Sequence, residues 1–326
     1  MTPAAHAVDR VSAGDVVVPA LAASAAPVRH SLWADHQELF KVRVTSMVVL
    51  TAWAGFYLGS MRSGITSMHW GLVQALLGIT LVSCGASVLN QVIERRTDAR
   101  MIRTAQRPLA AGRVGPLYGL LLGLSCFAAG AVVLAWYTNP VTVMLTLLTG
   151  FSYVAVYTPL KRYTTLATFI GAFPGAMPPL LGWTAARGVI EWPAVALFAI
   201  LFVWQFPHFM AIAWLYREDY AKAGIRMLPV VQPDGWSTAC EALIYAVLMI
   251  PVSIVPFYLH LTGRFYLVTA VLLGLVYLAY TIRFARITRA LTIVESRKYA
   301  RDLLRASVIH LPLLLTVMML NASGRR

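Results

Sequence analysis

The sequence predicts an all-α polytopic membrane protein, with nine transmembrane helices in a single bundle and a cytoplasmic N-terminus. Three observations carry this. Of 326 residues, 59% are hydrophobic and 12% charged, with a mean hydropathy of +0.70, a balance that soluble domains rarely reach. Apolar runs long enough to cross a bilayer recur along the chain, at about 43–60, 70–91, 116–135, 140–157, 166–185, 193–215, 239–259, 265–282 and 304–320. Finally, the basic residues gather in alternate connections.

The connection after the second run holds Arg95, Arg96, Arg100, Arg103, Arg107 and Arg113, and the one after the fourth holds Lys161 and Arg162. The sixth is followed by Arg217, Lys222 and Arg226, and the eighth by Arg283, Arg286, Arg289, Arg297, Lys298, Arg301 and Arg305. The opposite connections carry Arg62, Arg187 and Arg264. The rich side is therefore cytoplasmic, with the N-terminus inside and the C-terminus outside. The same distribution disposes of nucleic acid as the reason for the +14 net charge, because no basic-aromatic RNA-binding module accompanies it.

Residues 1–40 are Ala- and Pro-rich and lack helical period, so they read as a disordered cytoplasmic tail. Asp9, Asp15 and Pro19 spoil the faint signal-peptide look of the run Val16–Val28. Residues 41–321 form the membrane domain and 322–326 a short C-terminal tail. Cys84, Cys126 and Cys240 lie in or at the edge of apolar runs without C-x-x-C spacing, so neither a disulfide framework nor a zinc site is indicated.

The second run ends in Asn90-Gln-Val-Ile-Glu94-Arg-Arg-Thr-Asp98. Asn90, Glu94 and Asp98 recur every fourth residue and share one helix face. An ordinary helix end would pair these acids with Arg95, Arg96 and Arg100, a contact worth little. However, Asn90 lies inside the apolar run, where an unpartnered amide is costly. Hard oxygen donors at that position suit Mg²⁺, which keeps its waters and bridges to phosphate. Arg103 and Arg107, also four apart, offer forked donors for a diphosphate, and Pro108 ends their helix.

Tyr157-Thr-Pro-Leu-Lys161 lies on the same membrane side. Its plain reading is an interfacial Tyr beside a snorkelling Lys; its position favours a second phosphate contact equally. The fifth run carries Gly171, Pro174, Gly175, Pro178, Pro179 and Gly182. It is expected to be a broken helix lining a substrate cavity, against the alternative of close packing at glycine. The sixth run ends Trp204-Gln-Phe-Pro-His208-Phe, with Gln205 and His208 three apart on one apolar face, and is followed by Glu218 and Asp219. His208 suits the iron of a flat macrocycle, with His310 in the ninth run a weaker candidate of the same kind. The connections after the second and sixth runs, which hold the acid clusters, are equivalent in the helix count and suggest a site shared by two half-bundles.

These motifs together resemble the haem-farnesylating family of UbiA-type intramembrane prenyltransferases. The resemblance rests on Asn90–Asp98, the Met101–Leu109 tail, Tyr157–Arg162, Gly175–Trp183, Trp204–Phe209 and Asp219–Pro229, in that order, and covers roughly 40–320. It implies a UbiA-like bundle with a Mg²⁺-diphosphate site at its cytoplasmic rim, in a bacterial inner membrane. The implied reaction transfers a farnesyl group from farnesyl diphosphate to a vinyl of haem B, adding water and giving haem O and pyrophosphate. Asn90, Glu94 and Asp98 then match the first acidic motif and Asp219 the second, as catalytic and metal-binding residues. Arg103, Arg107, Tyr157 and Lys161 match the diphosphate contacts, while His208, with Gln205 and Trp204, matches the haem contacts. Haem A synthase or a terminal oxidase assembly are the implied protein partners.

Two departures bear on the metal. Glu94 stands where the wider superfamily has Asp, and Leu215 stands four before Asp219 where a second Asp is usual, so the site is one carboxylate poorer unless Glu218 turns inward, and either one or two Mg²⁺ fit the pattern. Two other readings stay in view. A UbiA-type enzyme acting on an aromatic quinone precursor would not need His208. A transporter would carry its essential charges near the midplane rather than at one rim.

Overall fold

Each apolar run forms a helix in the computed structural model, which describes residues 31–64 and 70–323. The first four are α2 (Val42–Ser63), α3 (Trp70–Asp98), α4 (Pro116–Tyr137) and α5 (Pro140–Phe151), before which comes a short α1 (Leu32–Leu39). The rest are α6 (Ala167–Arg187), α7 (Trp192–Leu215), a short α8 (Arg217–Lys222), α9 (Trp236–Tyr258), α10 (Arg264–Ala285) and α11 (Ile293–Leu320). Local chemistry sets their ends. Pro116 and Pro140 open α4 and α5 where no N–H partner is needed, and Asn139 caps α5 by accepting from Thr142 N at 3.0 Å. Gly64 and Gly188 close α2 and α6 with φ of 69° and 76°.

Among the described residues, eight helices are long and apolar enough to cross a membrane, and the chain is a multi-pass membrane protein. The fifth run is the exception. Its helix α6 has the length, but its glycines, prolines and threonines dilute its hydropathy. It is packed inside the bundle instead, with Pro174, Pro178, Pro179 and Trp183 all buried.

The expected break in α6 does not occur: the helix runs unbroken through its three prolines. The glycine alternative explains much of the run's composition. A Cβ on Gly182 would overlap the carbonyl of Ala52, and one on Gly55 would overlap that of Pro179. Thus α2 and α6 meet backbone to backbone, and this contact holds α6 in place where hydrogen bonds are missing.

The reading of 1–40 as a structureless tail also needs correction. Residues 1–30 lie outside the described residues, but Leu32–Leu39 is helical. An eight-residue helix does not stand alone in water. This one is held by tertiary contacts: Asp35 pairs with Arg113 at 2.7 Å, and Gln91 Nε2 donates to the carbonyls of Glu38 and Leu39 at 3.1 and 2.8 Å. Those partners are remote in sequence, so no local period announced them. At the other end, Ser323 N donates to Leu261 O at 2.9 Å, tying the chain's end to the α9–α10 connection; 324–326 lie outside the described residues.

Helix α5 passes into a π-helical turn, Ser152–Tyr157, and one further α-turn, Thr158–Leu160. Pro159 supplies no N–H, and Thr158 instead donates its hydroxyl to Tyr153 O at 2.8 Å. Such bulges frequently mark functional sites. This one delivers Tyr153, Tyr157 and Lys161 to the rim.

Candidate active site

The Asn90–Glu94–Asp98 stripe is buried throughout, at 1%, 3% and 1% exposure. Each member is held by a cation, but not by the neighbouring arginines of the ordinary reading. Lys41 Nζ donates to Asn90 Oδ1 at 2.6 Å, Lys161 forms an ion pair with Glu94, and Arg107 Nη1 meets Asp98 Oδ2 at 2.8 Å. Arg95 donates to the carbonyl of Val92 instead. The amide nitrogen of Asn90 donates to Thr158 Oγ1 at 2.9 Å, which orients its oxygen toward Lys41.

Asp219, also buried, accepts from the backbone N–H of Arg103 at 3.3 Å. The Arg103 guanidinium reaches Tyr220 OH at 3.2 Å and lies over the Tyr216 ring at 4.7 Å. Glu218 does not turn inward: it is exposed and pairs with Arg297 at 3.3 Å. It therefore does not replace the carboxylate absent at Leu215. Among the described residues, no three His, Cys, Asp or Glu side chains converge to hold a metal, so the four predicted ligands do not form a preformed cage.

Lys41 is the residue that sequence reasoning missed. It stands at the start of an apolar run, and its partner Asn90 lies 49 positions away. Its backbone adopts φ of 47°, a left-handed conformation rare outside glycine, and this elbow between α1 and α2 turns the side chain inward. Burial, reinforced by Arg107 and Lys161, lowers its ammonium to about 7. The rim thus gathers Lys41, Arg103, Arg107 and Lys161 against Glu94, Asp98 and Asp219, a surplus of cationic groups suited to an anionic ligand.

Beside this rim lies a cavity of about 350 Å³ with mainly apolar walls, among them Val48, Val82, Leu181, Phe209 and Ile212. Tyr153, Tyr157 and Tyr220 belong both to its wall and to the charged cluster. Tyr153 OH lies 3.3 Å from Lys41 Nζ, Lys161 sits over the Tyr157 ring at 5.7 Å, and the two tyrosines stack at 5.6 Å. The glycines of α6 make room here too: Gly171 faces the Tyr157 ring and Gly175 the Gln205 amide. The arrangement joins an anion-binding rim to a hydrocarbon-sized chamber.

The expected haem contacts separate. Gln205 Nε2 donates to Ala172 O at 2.8 Å, facing α6, whereas Trp204 and His208 face α11. Trp204 Nε1 donates to Ser307 O at 3.0 Å, and His208 Nδ1 lies 2.7 Å from Ser307 Oγ. His208 stacks on Trp204 at 4.9 Å, and His310, three residues beyond Ser307, stacks on Tyr277 at 4.8 Å. Gln205 and His208, three apart on one helix, thus meet different neighbours, α6 and α11.

Comparison with known proteins adds three findings. Residues 48–299 match the model of the UbiA prenyltransferase family. A protein named Protoheme IX farnesyltransferase from Koribacter versatilis is 52% identical over 291 residues, covering 89% of this chain and 94% of that one. Among solved structures, one described by its work on digeranylgeranylglyceryl phosphate synthase in membranes superposes with a TM-score of 0.70 at 16% identity, covering 89% of this chain and 98% of that one. A UbiA homologue from Archaeoglobus fulgidus bound to GPP and Mg²⁺ does so with a TM-score of 0.55 at 14% identity, covering 87% and 100%.

Proposed function

The chain belongs to the UbiA prenyltransferase family, and from that premise we propose that it converts haem B to haem O with farnesyl diphosphate as donor. The observation that carries this reading is the cation-rich rim opening onto the apolar cavity, in a chain 52% identical to a relative of that name. The membrane domain comprises about residues 41–321, with α6 as a ninth crossing helix shielded by its neighbours and the rim on the cytoplasmic side. In a bacterium this is the inner membrane.

In the reaction, the bond between farnesyl C1 and the diphosphate oxygen breaks and the electron pair leaves with pyrophosphate. The allylic carbon then bonds to the outer carbon of a haem vinyl. The positive charge passes to the inner vinyl carbon, where water adds and loses a proton. Lys41, Arg103, Arg107 and Lys161 bind the diphosphate and stabilise the charge it gains on leaving. Lys41, Arg107 and Lys161 are released for this when the anion replaces the amide and carboxylates they now hold, and Arg103 when it replaces the Tyr220 hydroxyl. Tyr153 and Tyr157 separate the phosphate end from the chamber, whose apolar walls keep water from the allylic cation.

The donor set fits a hard divalent cation. Asn90 Oδ1, Glu94 and Asp98 present oxygens on one buried face, and Mg²⁺ needs only one or two carboxylates when a diphosphate completes its shell. Bound there, Mg²⁺ would neutralise charge on the leaving pyrophosphate. Asp219 orders the Arg103 segment through the backbone N–H and approaches the same ligand from the other half-bundle.

The test is a purified preparation given farnesyl diphosphate, Mg²⁺ and either haem B or an aromatic acid as acceptor. Farnesylated haem with no prenylated acid supports the reading. Prenylated acid alone would overturn it in favour of a quinone-precursor enzyme.

A further inference from the structure

A second cavity, of about 370 Å³, lies between α10 and α11 and shares no lining residue with the first. Tyr277, Tyr280, Ile309 and His310 form its walls, and Arg305 and Asp302 lie toward the N-terminal end of α11. His310 is only 4% exposed; the backbone carbonyl of Leu273 approaches its ring, but its Nε2 makes no hydrogen bond. Tyr277, on which it stacks, has its hydroxyl committed to Trp204 O at 2.9 Å. A buried imidazole nitrogen left without a partner calls for an explanation, and a bound group is one.

The chemistry narrows what that group is. A bare metal ion would find too few ligands here, because no further His, Cys, Asp or Glu completes a set among the described residues. An iron porphyrin brings its own four nitrogens and needs only an axial ligand from the protein. Its flat face suits the apolar wall of Leu273, Val276 and Ile309, and its carboxylates suit Arg305. Asp302 does not oppose them, since it already pairs with Arg283 at 3.6 Å.

We propose that this cavity is a holding site for the haem acceptor, with His310 Nε2 as the iron ligand and Arg305 at the carboxylates. This deepens the functional reading above and rests on it for the identity of the porphyrin. Nε2 is enclosed, so ligation requires the ring, which already lines the cavity, to turn toward it. Since the two cavities share no wall, the porphyrin binds without prenyl diphosphate.

The experiment titrates ferric protohaem into the full-length protein in lipid nanodiscs, without prenyl diphosphate, and follows the Soret band. The wild type is expected to give a saturable, histidine-ligated spectrum. His310→Ala should weaken binding by about tenfold or more and lose that spectrum, with free imidazole restoring it. Arg305→Gln, at an exposed position, should weaken binding of protohaem but not of its dimethyl ester. An unchanged spectrum and affinity in His310→Ala, or loss only in His208→Ala, overturns the proposal. If His310→Ala does not fold, the Arg305→Gln pair decides: equal binding of protohaem by variant and wild type overturns it. Failure of the functional reading shows differently, as a wild type that ligates haem through His310 but forms no prenylated product.

Discussion

Lys41 and Asn90, separated by 49 positions, meet at 2.6 Å in the buried rim, so the elbow between α1 and α2 is part of the site. Losing the ammonium should weaken diphosphate binding more than it slows chemistry. Lys41→Met is expected to raise KM for farnesyl diphosphate roughly tenfold or more, with a smaller change in KM for haem; Lys41→Arg should recover part of the loss. Steady-state kinetics with each substrate varied in turn measures both.

Glu218 and Asp219 are adjacent but placed oppositely. Glu218 faces water and pairs with Arg297, a contact worth about 0–1 kcal/mol, so Glu218→Gln should leave turnover and thermal stability nearly unchanged. Asp219→Asn weakens the anchor on the Arg103 segment and should lower turnover by roughly tenfold or more. Assaying the two purified variants side by side separates these expectations.

The α2–α6 contact leaves no space for a side chain at Gly182, whose Cβ would overlap the Ala52 carbonyl. Gly182→Leu should cost about 3 kcal/mol or more, seen as a lowered melting temperature in detergent and poor recovery from membranes. Gly64→Ala, at a loop position with open space, carries only the strain of its positive φ and should cost about 1 kcal/mol.

Metal dependence follows from the oxygen donors of the α3 stripe. Chelation with EDTA should abolish prenyl transfer, and Mg²⁺ should restore it. Ca²⁺, larger and less demanding in geometry, should restore much less. Haem binding measured by absorbance should be unaffected by the chelator.

Much of this molecule is written in local pattern. Hydropathy marks the long helices, α6 least clearly, and the four-residue spacing of Asn90, Glu94 and Asp98 places them on the buried face they occupy. What the pattern could not express is pairing across the chain. Nothing in the local pattern singles out Lys41, because its partner Asn90 lies on another helix. Helix α1 went unread because Arg113 and Gln91, which hold it, are distant. The prolines of α6 argued for a break, whereas its glycines allow a backbone contact with α2 that keeps it whole. Gln205 and His208 shared a helical face by spacing, yet α6 and α11 draw them to different partners.

The most direct test of the central claim is the haem content of membranes from cells expressing the wild type or Asp98→Asn, extracted and resolved by chromatography with mass detection. Asp98 is 1% exposed and bound to Arg107, and its variant should lose roughly 10²–10³ in turnover. The account predicts, for the wild type, a species heavier than haem B by one farnesyl and one hydroxyl group, and haem B alone for the variant. Haem B alone in wild-type membranes, or the farnesylated species at equal level in both, would contradict it.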